Sequence, residues 1–219
     1  MWDRNFDPDR RSSSAASPEL STPFAAPTRL LVGLGNPGEE YAATRHNIGF
    51  RVVELLAERF AGQWRAEPGL DARVCPIEID SESCLLVQPQ SFMNRSGAAV
   101  RAALARWPAL NPETGLLIIY DDMDLPTGRL RLRPRGGSGG HRGIGDILRE
   151  LDMKEIPRLR VGVGHPGSAG EVVDWVLDSF SPDEEALVLP DLLGRAADAV
   201  EATIREGVTS AMGQFNAAR

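Results

Sequence analysis

Leu30-Leu31-Val32-Gly33-Leu34-Gly35-Asn36-Pro37-Gly38 is the stretch on which the reading of this chain turns. Its first five residues form a short apolar run closed off by glycines, the pattern of a strand buried on both faces. The glycines also match G-x-G-x-x-G, the fingerprint of a dinucleotide-binding turn. That fingerprint works only when a helix opens on the second glycine and aims its N-terminus at a pyrophosphate. Here Pro37-Gly38 makes a turn instead, and helical periodicity starts only near His46. The acidic residue expected at the end of a second strand, about 20 residues on, is missing as well. No nicotinamide or flavin site is expected, and no cofactor.

Outward from this strand, Ile48 to Phe60 predicts a helix, with Phe50, Val53, Leu56 and Ala57 at helical spacing. Val74 to Ile79 and Cys84 to Val87 flank Asp80-Ser81-Glu82-Ser83 and predict a hairpin. Ser96 to Trp107 is an Ala-rich helix stopped by Pro108. Leu116 to Tyr120 is a second fully buried strand, and Arg129 to Arg133 alternates with period two, so its arginines share a face. His141 to Leu151 is a helix entered through glycines, Leu159 to Val163 another strand, and the chain is mostly helical from Glu171, broken near Phe180-Ser181-Pro182. Buried strands alternating with helices imply a single α/β domain, a mixed twisted sheet sandwiched between helices on both faces.

The sequence has 219 residues, 42% hydrophobic and 25% charged, as in an ordinary globular protein. No apolar run approaches the roughly 18 residues of a membrane span. Residues 1–28 are rich in Ser, Pro and Ala and read as a disordered extension, leaving 29–219 as the folded domain. The extension lacks the apolar stretch of a signal peptide, and its acidic residues argue against a transit peptide. Cys75 and Cys84 are expected to be buried thiols of a cytoplasmic protein, and no metal-type cluster of His, Cys and acids is legible.

The net charge of -7 argues against a protein that coats nucleic acid indiscriminately. Between Arg129 and Arg160, however, nine basic residues face only four acids, which suggests a localised polyanion site. All three histidines, His46, His141 and His165, lie in polar segments bearing Gly or Asn. Such placement suits proton carriers at loops, since imidazole titrates nearest neutrality. The glycines before His141 would expose backbone N–H groups at a helix N-terminus, where an anion is favoured.

Five segments stand in order along the chain: Gly35-Asn36-Pro37-Gly38 with Tyr41 and Thr44-Arg45-His46-Asn47; Gln90 to Gly97; Tyr120 to Gly128; Gly136 to Gly143; and Arg158 to Gly167. In this order they resemble the signatures of bacterial-type peptidyl-tRNA hydrolases, over about residues 29–216. The resemblance implies hydrolysis of the ester between a peptide and the 3′-terminal ribose of tRNA. It uses water and no cofactor, and recycles peptidyl-tRNA from stalled ribosomes. It casts His46 as general base, oriented by Asp121. It places Asn36, Tyr41, Met93, Asn94, His141 and Arg142 at the substrate, and Arg131, Arg133 and Arg160 at the phosphates of the acceptor end and 3′ CCA. It implies a monomer with peptidyl-tRNA as its partner. A non-catalytic RNA-binding protein on the same scaffold is the alternative, against which the retention of Asn36, His46, Asn94 and Asp121 speaks. No G-x-S-x-G nucleophile motif is present, in keeping with direct attack by water. The chain departs from the family pattern at Arg142, where Asn is usual. Arginine cannot accept a hydrogen bond, so the contact made there is expected to move from ribose or water to phosphate.

Overall fold

The computed structural model describes residues 26–217. The expected N-terminal extension lies almost wholly outside them, and its last residue, Thr28, already donates from its backbone to Ser83. Seven strands form one sheet: β1 (Arg29–Gly33), β2 (Arg65–Glu67), β3 (Ala72–Ile79), β4 (Glu82–Pro89), β5 (Leu116–Asp122), β6 (Leu130–Arg133) and β7 (Arg158–Gly162). Their order is β2-β3-β4-β1-β5-β7-β6. The central four, β4-β1-β5-β7, run parallel, and β2, β3 and β6 are antiparallel additions at the two edges. This is the mixed sheet the apolar runs predict. Asp80 and Ser81 turn the β3–β4 hairpin at φ +47° and +68°, as a two-residue turn of matching twist requires.

The helices are α1 (Ile48–Arg59), α2 (Ser96–Arg106), the single turn α3 (Pro112–Gly115), α4 (Arg142–Leu151), α5 (Val172–Leu177), α6 (Leu189–Glu206) and α7 (Val208–Phe215). Side-chain alternation sorts the strands into two cores. Leu31, Leu117, Ile119, Leu159 and Val161 pack with residues of α1, α6 and α7. Leu30, Val32, Ile118 and Tyr120 pack with residues of α2 and α4 on the other face. β4, β1 and β5 are therefore apolar on both sides and read as continuous hydrophobic runs, whereas β7 sets Leu159 and Val161 on one face and Arg158 and Arg160 on the other.

Two glycines set how closely α1 approaches the sheet. A Cβ on Gly33 would meet the Gly49 carbonyl, and one on Gly49 would meet the backbone of Leu34 and Ile119. Between these contacts the chain runs from Gly35 to Asn47 as a loop with two short 3-10 turns, Glu39–Tyr41 and Arg45–Asn47. No helix opens at the second glycine, so the geometry of a dinucleotide turn is absent. From β1 the chain leaves toward β4, and from β4 it returns through α2 to β5 on the other side of β1. Open α/β sheets place their ligands at such a reversal, beyond the carboxyl ends of the strands.

Candidate active site

A cleft of about 640 Å³ opens at that reversal. Asn36 enters it from the end of β1, His46 from the turn before α1, Met93 and Asn94 from the turn before α2, Asp121 from the end of β5, and His141 and Arg142 from the start of α4. These side chains come from four segments of the chain, up to 106 positions apart.

Alternation along β5 decides its chemistry. Asp121 follows Leu117 and Ile119 onto the face covered by α1 and reaches His46, whose Nδ1 lies 2.8 Å from Asp121 Oδ1. Tyr120 and Asp122 fall on the opposite face, where Asp122 pairs with Arg160 of β7. A carboxylate that accepts a hydrogen bond from His46 Nδ1–H leaves the Nε2 lone pair as the acceptor. Asp121 is 2% exposed, and its Oδ1 also meets His141 Nε2 at 2.9 Å. Burial by itself raises the Asp121 pKa. The electrostatic attraction to His46 and His141 and the hydrogen bonds from both rings outweigh it, and hold the carboxyl well below the usual carboxylate range.

Asn36 is fixed from three sides. Its backbone N–H donates to Asn47 Oδ1 at 2.8 Å, Asn47 Nδ2 donates back to its carbonyl at 2.9 Å, and its own Oδ1 accepts from Met93 N–H at 2.8 Å. The carboxamide oxygen is thereby fixed in place, and the two N–H groups of the amide nitrogen are the donors left for a ligand. Met93 is seated by Gly143, at which any side chain would strike its sulfur.

The turn carrying His46 is held by its neighbour. Arg45 donates to the carbonyl of Ser179 at 2.8 Å and of Asp178 at 3.3 Å, and pairs with Glu184 at 3.1 Å. Its guanidinium lies 3.8 Å from the ring centroid of Trp175 in α5. Beyond that clamp, α5 gives the cleft an apolar lip of Val172, Val173, Val176 and Leu177, facing Phe92. Neither Arg45 nor α5 was named as a site element from sequence. Arg45 sits beside a histidine in a polar segment, and nothing local signals that its partners lie more than 130 residues away.

The basic wall combines β6, β7 and the glycine loop. Arg131 stands opposite Arg160, and Arg133 opposite Arg158, on one face of the sheet. The structure places these arginines differently from one another. Arg160 lines the cleft and is paired with Asp122, with Asp124 nearby at 3.7 Å. Arg131, half-buried beside it, does not line the cleft. Arg133, Arg135 and Arg142 are exposed there instead, and Arg135 is tied only loosely, at 3.4 Å, to Glu155. Buried Arg158, which sequence reasoning did not single out, donates to the carbonyls of Gly137 and Ile156, both at 3.0 Å, and shapes the loop from Gly136 to Gly140.

Tyr41 packs edge-on against Phe92, 6.3 Å between ring centroids, and is not itself among the cleft-lining residues. His165 turns its own loop, accepting from Gly167 N–H at 2.9 Å, and is outside the cleft. The sequence showed no cluster of metal-ligand type, yet one exists: ligand atoms of His46, Asp121 and His141 lie within 4.8 Å of one another. Both nitrogens stand at hydrogen-bond distance from one carboxylate oxygen, so the cluster as built is a proton-sharing triad. Cys75 and Cys84 are free and buried, and burial pushes them up to about 11 and about 12.

The chain is similar to known proteins. The family model described as peptidyl-tRNA hydrolase matches residues 30–219. The chain belongs to the peptidyl-tRNA hydrolase family. The peptidyl-tRNA hydrolase of Chloroflexus aurantiacus is 51% identical over 187 residues, covering 85% of this chain and 98% of that protein. That of Roseiflexus sp. is 47% identical over 188 residues, covering 86% and 85%. A crystal structure of peptidyl-tRNA hydrolase from Acinetobacter baumannii superposes with a TM-score of 0.80 at 37% identity, covering 87% of this chain and 95% of that one. The family thus accounts for the whole folded domain, cleft included.

Proposed function

We propose that this chain hydrolyses the ester joining a peptide to the 3′-terminal ribose of tRNA, with His46 as general base. The observation that carries the reading is the His46–Asp121 hydrogen bond at the mouth of a cleft that continues into an arginine-lined wall. Asp121 holds the Nδ1 proton, so Nε2 is presented to a water. The water attacks the ester carbonyl, His46 accepts its proton, and the ribose oxygen leaves as that proton is returned. The Asn36 amide N–H groups, locked by Met93 and Asn47, are set to hold the carbonyl or the peptide backbone. Asn94 lies on the same wall and supplies a second carboxamide. Amides read backbone without reading side chains, which suits a variable peptide. Met93, Phe92 and the α5 valines give an apolar surface for its side chains.

Arg133, Arg135 and Arg142 serve the phosphates of the acceptor end. Arg142 is the first residue of α4 and has no partner among the described residues, which supports a phosphate role where the family pattern has Asn. Phe92, Val173 and Leu177, three of the four exposed large hydrophobics among the described residues, line the cleft. That leaves little apolar surface for self-association, so we assign a monomer. No helix among the described residues is long and apolar enough to cross a membrane. The reduced buried thiols support a cytoplasmic location.

The test is release of peptide from an N-acyl-aminoacyl-tRNA by wild type and His46→Ala. Equal slow release by both would overturn catalysis and leave the RNA-binding alternative. A large loss in the variant with retained tRNA binding is the expected result.

A further inference from the structure

His141 meets Asp121 Oδ1 with Nε2 at 2.9 Å, on the same oxygen that His46 Nδ1 meets at 2.8 Å. Which nitrogen of His141 carries the proton is fixed from its other side. His141 is the N-cap of α4, and the backbone N–H of Ile144 donates to its Nδ1 at 3.2 Å. A nitrogen that accepts a hydrogen bond holds a lone pair, so the proton sits on Nε2 and points at Asp121. The imidazole thus takes the usual capping role of a Ser, Thr or Asp oxygen, while its far edge becomes a donor inside the site. The His46 and His141 rings approach to 5.0 Å between centroids, and both are buried or half-buried around one carboxylate oxygen.

We propose that His141 is a positioning residue: as a neutral, helix-anchored donor it shares Asp121 Oδ1 with His46 and limits how strongly that carboxylate binds the His46 proton. This rests on the reading of His46 as general base. An aspartate with His46 as its only partner would orient the ring but would also stabilise its imidazolium, withdrawing the base as pH falls. A second donor on the same oxygen disperses part of the carboxylate charge and keeps the orientation. The other groups around His141 do not duplicate this. Tyr120 packs edge-on against its ring at 4.8 Å, and Asp122 and Arg160 are paired with each other. Arg158 is bonded to loop carbonyls, and Arg133 and Arg142 stand at the cleft surface.

The two nitrogens of His141 can be replaced one at a time. In His141→Asn the short amide oxygen still caps Ile144, but no donor reaches Asp121. In His141→Gln the longer amide nitrogen reaches Asp121, but the cap is lost. The acid limb of kcat/KM on an N-acyl-aminoacyl-tRNA is expected to move to higher pH by about 0.5–1 unit in the Asn variant. It should return toward the wild-type position in the Gln variant, whose defect appears as a lower Tm. Long-range ¹H–¹⁵N spectra of the imidazoles, recorded without substrate, should show His141 protonated on Nε2 and His46 on Nδ1. They should also show His46 taking up its second proton at higher pH in the Asn variant than in wild type. A KM change with an unmoved acid limb would mean that His141 only contacts substrate, and would overturn the proposal, as would an Nδ1-protonated His141. Failure of the general-base reading would look different: wild type itself would show no His46-dependent turnover, while the spectra still reported the shared carboxylate.

Discussion

The two walls of the cleft are built on opposite principles. On one, His46, Asp121 and His141 are buried or half-buried, and one carboxylate oxygen serves two imidazoles. On the other, Arg133, Arg135 and Arg142 stand in solvent with few or no partners. Buried hydrogen bonds in a low-dielectric setting are strong, directional and intolerant of change. Exposed charges act at longer range, tolerate displacement and are screened by salt. Bond cleavage needs the first kind of order. A long, mobile polyanion is better met by the second. On the function proposed above, the molecule separates chemistry from recognition within a single cleft.

That separation can be broken experimentally, starting at the buried wall. His46→Ala should lower kcat about 10³–10⁴-fold while the tRNA dissociation constant changes less than about threefold; a parallel loss of binding would show that the walls are not independent. Asp121→Asn, which keeps the shape and removes the charge, should lower kcat about 10²-fold or more. It also has a signature in stability. The Asp121 carboxyl is held below its ordinary value, so its contribution is complete above the unfolded pKa of about 3.9. The contribution is lost as pH falls through the lower folded value. The stability gap between wild type and Asp121→Asn should therefore narrow as denaturation is measured at successively lower pH below about 4.

Arg45 tests whether the buried wall depends on distant chain. Removing a guanidinium that caps two carbonyls, pairs with Glu184 and stacks on Trp175 should cost about 2–3 kcal/mol in chemical denaturation. It should also lower kcat, because the turn bearing His46 loses its anchor. Unchanged turnover at full folding would show that the clamp supports the fold alone. The exposed wall should respond most gently. Arg133→Ala and Arg142→Ala should each reduce the slope of log K against log salt for tRNA binding by about 0.7–0.9, with kcat at saturation little changed. A fall in kcat for Arg142→Ala would move that residue from recognition to the reacting end of the substrate.

The same contrast explains what could be read in advance. The central strands and the helices around them were legible because burial on two faces leaves an unbroken apolar run, and burial on one stripe leaves a helical period. The edge strand β2 (Arg-Ala-Glu) has too little apolar pattern to announce itself. His46, Asp121, Asn36 and Asn94 were legible because each lies in a short signature of recognisable type. The fates of the arginines were not. Alternation put Arg131 and Arg133 on one face correctly, but only the pairing of β5 with β7 brought Asp122 against Arg160. The signature points to Tyr41 as a substrate residue, and the structure sets it edge-on against Phe92, which lines the cleft.

The amino-acid order alone determined the alternation of strands and helices and the presence of a local basic region, and its signatures pointed to the pairing of His46 with Asp121. Those properties depend on side-chain chemistry and on periodicities of two and 3.6 residues, both written along the chain. Tertiary structure alone decided which of two adjacent aspartates meets a histidine and which an arginine. It also decided that His141 and His46 converge on one oxygen, and that a clamp from beyond position 170 steadies the turn at position 46. Hydrogen bonds and ion pairs act over a few ångströms, and only the packing of α1 and α4 on opposite faces of β5 brings groups so far apart in sequence within that reach.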